Sequence, residues 1–238
     1  SVWRAVQALL PQESIRYYAD SGNCPYGPRP EAEIQVLSER IVNELTDKGC
    51  DIIVIACNTA TSAAIQWLRV RHPETCFVGI EPAIKPAAQA TRSGVIGILA
   101  TQGTFRGGHF TRTRQAWASH VEVLLQVGEG LVECVEKGRM DSPEAEALLH
   151  RYLDPMLEKG ADQIVLGCTH YPFLLPLMKK IVQDRATLID PAPAVALQVK
   201  RVMEQRHLLD PKPRPEYIFE TSGDPAELDR MVATVMPR

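Results

Sequence analysis

Several features that would place the chain in a special class are missing from its sequence. No stretch approaches the roughly 18 consecutive apolar residues that a membrane-spanning helix requires, and residues 1–4 lack the basic end and apolar run of a signal peptide. The formal charge is only −3, so no overall field favours nucleic acid or an anionic membrane as a partner. We therefore expect a cytoplasmic globular protein that binds a small molecule and neither nucleic acid nor membranes.

Cysteine is scarce as well. Six cysteines in 238 residues are too few for a disulfide scaffold. None lies in a Cys-x-x-Cys pair or in a finger-like pattern with histidines, so the sequence does not predict a zinc site. We expect reduced thiols that either fill a core or take part in chemistry: Cys24, Cys50, Cys57, Cys76, Cys134 and Cys168.

Short apolar runs rich in Val and Ile alternate with longer amphipathic stretches. This alternation is typical of β-α units that build a parallel sheet, so it predicts the α/β class. The predicted helices are 31–48, 63–71, 172–183 and 224–235, and residues 1–3 already lie in a first helix. The predicted strands are 14–19, 51–56, 77–80, 95–100, 121–126, 163–167, 187–189 and 217–223.

Two strand-to-loop passages resemble each other, one ending in Cys57-Asn-Thr and the other in Cys168-Thr-His. In each, an Asp precedes an apolar strand, a small residue follows, and the Cys stands where a helix should begin. The cysteines are 111 residues apart, about the length of a small α/β unit. We therefore expect two pseudo-symmetric three-layer α/β lobes with mostly parallel sheets and the active site in the cleft between them. The predicted lobes are residues 1–84 plus 191–238 and residues 85–190, with crossings at 82–95 and 190–193.

Both cysteines fall at the carboxyl ends of predicted strands, where open α/β sheets bind ligands. The N-terminus of a following helix favours a thiolate, so a thiol placed there can act as a base. Two such thiols on opposite faces of a carbon acid suggest racemisation, in which one removes a proton and the other returns one. The contacts this requires put the two sulfurs about 6 to 8 Å apart. The alternative is that each cysteine is a small buried apolar residue.

Short polar side chains adjoin both cysteines. Asn58, Thr59 and Thr169 are of the kind that hold a carboxylate or a small amino acid, although they could also cap the next helices. His170 could orient a thiol, but two residues from Cys168 is an awkward reach within one strand end, so it could act on the substrate instead.

Further candidates lie in other loops. Asp20 ends a strand, where its carboxylate could assist a thiol, bind an ammonium group or only cap the next loop. The rigid turn Pro25-Tyr26-Gly27 would present Tyr26 and the Gly27 N–H to a ligand, or serve only as a turn. Thr101 follows another strand as a possible donor, and Glu136 is a rim carboxylate or a solvated one.

The segments 56–60 (Ala-Cys-Asn-Thr-Ala), 167–172 (Gly-Cys-Thr-His-Tyr-Pro) and 25–27 closely resemble the glutamate racemase family. This resemblance implies interconversion of L- and D-glutamate for peptidoglycan synthesis, without pyridoxal phosphate or metal. It implies that Cys57 is the base toward D-glutamate and Cys168 the base toward L-glutamate, each being the acid in the other direction. It also implies a homodimer.

The resemblance assigns roles to the neighbouring residues too. Positions that hold the substrate are matched by Asn58, Thr59, Thr169, Tyr26 and Gly27. His170, Asp20 and Glu136 match polar positions that support the proton transfers, with Glu133 one turn away from the last.

The chain departs from the family pattern at its start. The family begins with a strand that ends in Asp-Ser-Gly-x-Gly-Gly, and Ser1 stands just after it; Asp20-Ser21-Gly22 is not that motif, because it precedes Pro-Tyr-Gly. From this we expect a polypeptide that is weakly active or less stable, since a missing central strand leaves ladder groups unpaired.

Three other functions fit parts of the pattern. A racemase for aspartate or a hydantoin would share the two-thiol logic. A Cys-His hydrolase would use Cys168 and His170 but leave Cys57 unexplained. A binding module would hold an amino acid without chemistry, and replacing either cysteine by Ser would then leave its binding intact.

Overall fold

The computed structural model describes residues 1–235, and the chain forms two compact units. The first unit is Ser1–Ile80 together with the chain from Ala192 on, and the second is Glu81–Pro191. The strands are β1 (Ile15–Ala19), β2 (Ile52–Ile55), β3 (Cys76–Gly79), β4 (Val95–Ala100), β5 (Glu122–Val127), β6 (Gln163–Gly167), β7 (Thr187–Ile189) and β8 (Tyr217–Thr221). Among the described residues, no helix is both long and apolar enough to cross a membrane.

Eleven α-helices are found in the described part of the chain. In the first unit these are α1 (Val2–Leu9), α2 (Glu31–Asp47), α3 (Asn58–Arg71), α10 (Ala192–Arg206) and α11 (Pro225–Val235). In the second they are α4 (Ile84–Ala90), α5 (Gln102–Arg106), α6 (Gly108–Trp117), α7 (Leu131–Glu136), α8 (Pro143–Glu158) and α9 (Leu175–Val182).

The first unit contains two parallel strand pairs. β1 pairs with β8, so that Ile15 lies opposite Tyr217, and β2 pairs with β3, so that Ile52 lies opposite Cys76. Helices α1 and α10 bury one core with the end of β3, and α2 and α3 bury another with β2 and β3. These cores hold the carboxyl end of β2, and with it Cys57, in a fixed position.

The second unit is built on one parallel sheet with the strand order β5-β4-β6-β7. Every residue of β6 is buried, as expected for a central strand covered by helices on both faces. Ile96, Ile98 and Val165 pack with α4 and α6 in the core of this unit. The sheet therefore delivers the end of β6, and Cys168 directly after it, from a rigid base.

The predicted α/β class with parallel sheets is confirmed, and β4, β6 and β7 have the predicted bounds. Two local predictions are wrong. Helix α3 begins at Asn58 rather than residue 63, because Cys57 caps it. The segment 82–95, predicted as a crossing, contains a helix at residues 84–90, which tolerates Pro86 because no N–H partner is needed in the first turn. The other wrong prediction concerns a helix of the second unit. The predicted helix 172–183 is a 3₁₀ turn (Tyr171–Leu174) followed by α9.

Candidate active site

In the first unit, Cys57 joins strand β2 to helix α3. Its backbone is extended, and its Sγ accepts a hydrogen bond from the backbone N–H of Ala60 at 3.4 Å. Its carbonyl accepts the helical hydrogen bond from the N–H of Thr61 at 2.8 Å. The sulfur therefore lies at the positive end of a 14-residue helix, which stabilises a negative charge.

Thr61 holds the first turn of α3 against the strand ends. Its buried hydroxyl donates to the carbonyl of Ile55 at 3.0 Å and accepts from the N–H of Ile80 at 3.2 Å. Gly79 allows this contact, because a Cβ there would lie 2.5 Å from Thr61 Cγ2 and Ile65 Cδ1. The position of Cys57 is thus set by packing as well as by the helix.

Asn58, the first residue of α3, is buried in an unusual state. It is only 3% exposed, and neither Oδ1 nor Nδ2 has a hydrogen-bond partner among the described residues. Buried polar side chains are nearly always paired, because leaving one unpaired is costly. An unpaired amide beside the Cys57 thiol is therefore the feature expected of a residue that pairs with a ligand. Thr59 is equally buried in the same turn.

Asp20 is tied to the loop that follows it. Its Oδ2 accepts from the Tyr26 hydroxyl at 2.5 Å, and its Oδ1 accepts from Asn23 Nδ2 at 2.9 Å and from Arg40 at 3.0 Å. Burial raises the pKa of Asp20, but the hydrogen bonds that it accepts outweigh burial and lower it. The carboxylate thus holds this loop, and its predicted part in proton transfer stays a prediction.

The turn after Asp20 lies near Cys57. The N–H of Arg29 donates to the Tyr26 carbonyl at 3.1 Å and closes a turn over Gly27, after a cis peptide bond before Pro25. Burial, the hydrogen bond to Asp20 and the electrostatic interactions with Asp20 and Cys57 all raise the pKa of Tyr26. The predicted Pro-Tyr-Gly turn is therefore within electrostatic reach of the predicted base.

In the second unit, Cys168 follows β6 directly and is 7% exposed. His170 Nδ1 lies 3.7 Å from its Sγ. The expectation that His170 reaches Cys168 only with difficulty was wrong. The strand ends at Gly167 and the chain then turns, with the N–H of Tyr171 donating to the Cys168 carbonyl at 3.1 Å. This turn brings the imidazole back to the sulfur.

The other ring nitrogen of His170 contacts Glu136. Nε2 lies 2.5 Å from Glu136 Oε1, whereas Glu133 stands one turn earlier in α7. Burial lowers the pKa of His170, but its bonds to Cys168 and Glu136 outweigh burial and raise that pKa to about 10. The bond to His170 lowers the pKa of Glu136. Glu136, His170 and Cys168 thus form a chain in which a protonated imidazole adjoins the thiol.

The remaining predicted residues lie at strand ends of the second unit. Thr101 caps α5, its Oγ1 accepting from the N–H of Thr104 at 3.3 Å. Thr169 lies half-buried in the turn between Cys168 and His170. Sequence reasoning missed one brace: the buried Tyr171 hydroxyl donates to the carbonyl of Gly128 at 3.1 Å, which fixes that turn. Its place directly after the Cys-Thr-His motif was the available signal.

Fold and site together define an α/β enzyme. Each unit places a cysteine directly after a parallel strand, with a polar group in contact with its sulfur. The chain belongs to the Asp/Glu/Hydantoin racemase family, whose model matches residues 1–199. It is therefore an amino-acid racemase, an isomerase.

Named relatives agree with this membership. The chain is 45% identical to the glutamate racemase of Ectopseudomonas mendocina over 235 residues, which cover 99% of this chain and 88% of the relative. It is 46% identical to that of Herpetosiphon aurantiacus over 232 residues, covering 97% and 91%. The crystal structure of Escherichia coli glutamate racemase in complex with L-glutamate and the activator UDP-MurNAc-Ala superposes with a TM-score of 0.87 at 28% identity, covering 98% and 88%. The resemblance found in the sequence motifs is thereby confirmed.

Proposed function

We propose that this protein is a glutamate racemase that interconverts L- and D-glutamate without a cofactor and supplies D-glutamate for peptidoglycan synthesis. The relatives that it matches over nearly its whole length carry that name. The observation that carries the proposal is the pair of strand-end thiols, each with a polar group that stabilises charge on its sulfur.

The proposed reaction is two proton transfers at one carbon. A thiolate removes the α-proton of glutamate and becomes a thiol, and the electron pair stays on the substrate as a carbanion. The second thiol then donates its proton to the opposite face and becomes the thiolate. Cys57 is the base toward D-glutamate and Cys168 the base toward L-glutamate, so the reaction requires that both sulfurs reach the same α-carbon.

The supports differ between the two thiols. The Ala60 N–H and the dipole of α3 stabilise a Cys57 thiolate. Beside Cys168, a His170 imidazolium held by Glu136 compensates negative charge or returns a proton. His170 and Glu136 therefore act with Cys168, while Asp20 acts in the first unit through Tyr26.

Substrate binding uses the other polar groups at the strand ends. The unpaired amide of Asn58 and the first turn of α3, with Thr59, form a carboxylate site, because a helix N-terminus and an amide NH₂ both favour an anion. The Pro25-Tyr26-Gly27 turn belongs to the same proposed site, because Tyr26 interacts electrostatically with Cys57. In the second unit we assign Thr101 and Thr169 to substrate contacts.

The test is loss of the α-proton signal of L-glutamate, and separately of D-glutamate, by proton NMR in D₂O without added cofactor. Both enantiomers should exchange. Cys57→Ser and Cys168→Ser should each abolish racemisation, whereas Cys50→Ser, a half-buried thiol in the same unit as Cys57, should not. If both cysteine variants racemise at the wild-type rate, the two-thiol mechanism is wrong.

A substrate panel tests the choice of amino acid. The panel contains glutamate, aspartate and a hydantoin, because the family includes racemases for all three. If the proposal is right, glutamate should exchange faster than the other two. A preference for either of the others would reassign the substrate and keep the mechanism. The predicted homodimer and cytoplasmic location are part of the proposal, and sedimentation velocity and cell fractionation test them.

A further inference from the structure

A second unpaired polar group lies one helical turn from Asn58. Ser62 occupies position i+4 of α3, and its Oγ is buried without a hydrogen-bond partner among the described residues. Residues at i and i+4 share a helix face, with their Cβ atoms about 5 to 6 Å apart. Thr61, which lies between them in the sequence, uses its hydroxyl fully on the strand ends. The two unpaired groups therefore lie on one face of the helix, one turn apart.

The chemistry of an amide shows why the pairing matters. An asparagine presents two donors on Nδ2 and an acceptor on Oδ1, and a carboxylate accepts hydrogen bonds only. Asn58 binds a carboxylate only when Nδ2 points toward it and Oδ1 points away. The amide keeps that orientation only if a donor meets Oδ1 on the other side.

Two backbone donors at the start of α3 are already engaged. The N–H of Ala60 donates to Cys57 Sγ, and the N–H of Thr61 donates to the Cys57 carbonyl. Side chains in a helix lean toward its N-terminus, so the Ser62 hydroxyl leans toward the turn that contains Asn58. From that position the hydroxyl can donate to Oδ1, directly or through one bridging water.

We infer that Ser62 is a positioning residue whose hydroxyl donates to Asn58 Oδ1 when substrate binds and so turns the Asn58 amide NH₂ toward the substrate carboxylate. This inference rests on the proposed function, because it needs an acidic substrate at Asn58. Ser62 itself touches neither the substrate nor the reacting atoms, so its effect falls on binding rather than on proton transfer.

The test measures steady-state racemisation by Ser62→Ala in both directions. KM for L- and D-glutamate should rise about fivefold, the factor that corresponds to one neutral hydrogen bond, while kcat changes less than twofold. Ser62→Thr, which keeps the hydroxyl, should restore KM. The melting temperature of Ser62→Ala should stay the same or rise, because the change removes an unpaired buried hydroxyl.

The control is Ser38→Ala, which removes another buried serine hydroxyl from a helix of the same unit and should leave KM unchanged. A wild-type KM in Ser62→Ala would overturn the inference and leave the proposed function standing. If Ser62→Ala does not fold, Ser62→Cys decides with the same expectation, because a thiol is a weak donor of similar size. Absence of exchange by the wild-type protein would instead overturn the proposed function, and the role of Ser62 with it.

Discussion

The contact between Glu136 and His170 should set the alkaline limit of the proposed activity. With its pKa raised to about 10, His170 is protonated at neutral pH and loses its proton only in strongly alkaline solution. Loss of that proton removes the positive charge 3.7 Å from Cys168 Sγ. Replacing Glu136 with Gln keeps the size of the side chain but removes the charge that favours the imidazolium, so His170 should deprotonate at a lower pH.

The size of the effect follows from the exposure of the pair. A hydrogen bond to a charged group contributes about 1.5 to 3 kcal/mol when shielded. The Glu136 side chain is 39% exposed and that of His170 25%, so solvent screening reduces the value to about 1.4 kcal/mol. One pKa unit corresponds to that energy, so the pKa of His170 should fall by about one unit in Glu136→Gln.

Two measurements check this prediction. NMR titration of the His170 ring should show the lower pKa, and the alkaline limb of kcat/KM should move down by the same amount. Because the pKa of His170 is raised by Cys168 and Glu136 and that of Glu136 is lowered, these contacts stabilise the fold fully between about pH 4.5 and 6.5, and the stabilisation is lost as pH rises toward 10 or falls below about 4.5. Glu133→Gln, one turn away on the same helix, is the matched control and should change neither titration nor rate. An unshifted His170 titration in Glu136→Gln would refute the reasoning.

Three other substitutions have effects that the contacts predict. Thr61→Val removes two hydrogen bonds of a buried hydroxyl, although the N–H of Ile80 keeps its bond to the Ile55 carbonyl at 3.3 Å, so urea unfolding should show a loss of about 1 to 3 kcal/mol, against less than about 0.5 kcal/mol for the exposed Thr111→Val. Asp162→Asn weakens the three hydrogen bonds that fix the turn before β4. Since those bonds hold the pKa of Asp162 below its usual value, the destabilisation should be present at neutral pH and fade as pH falls below about 4 in pH-dependent melting. Tyr26→Phe removes a hydroxyl donor from Asp20, so the pKa of that carboxyl should rise in a carbon-13 NMR titration, and an unchanged value would contradict the hydrogen bond.

Much of the fold could be predicted because local pattern and tertiary structure agree. Central strands such as β4 and β6 are continuous apolar runs bounded by Gly, Asp or Thr, and their bounds were correct to the residue. Helix α3 was placed too late because its first turn, Asn58 to Ser62, is polar and β-branched and lacks helical periodicity. The signal was a cap made by a cysteine sulfur, which ordinary N-cap rules do not include.

The candidate site divides in the same way. Cys57 and Cys168 could be found because their motifs are duplicated within the sequence. The pairing of His170 with Glu136 spans 34 residues, and that of Asp20 with Arg40 spans 20 residues. Such pairings depend on how separate elements pack, and no local pattern encodes which of two acids one turn apart reaches the histidine.

The Cys57 and Cys168 motifs look alike in sequence, but negative charge on the two sulfurs is stabilised by different kinds of group. The Cys57 sulfur is stabilised by an N–H and a helix dipole, neither of which titrates. The Cys168 sulfur adjoins an imidazolium that does titrate and that depends on Glu136. Loss of the imidazolium proton at high pH therefore changes the surroundings of the Cys168 sulfur and not the stated supports of the Cys57 sulfur. In the proposed reaction His170 is thus a titrating support of one thiol only, although each direction uses both thiols.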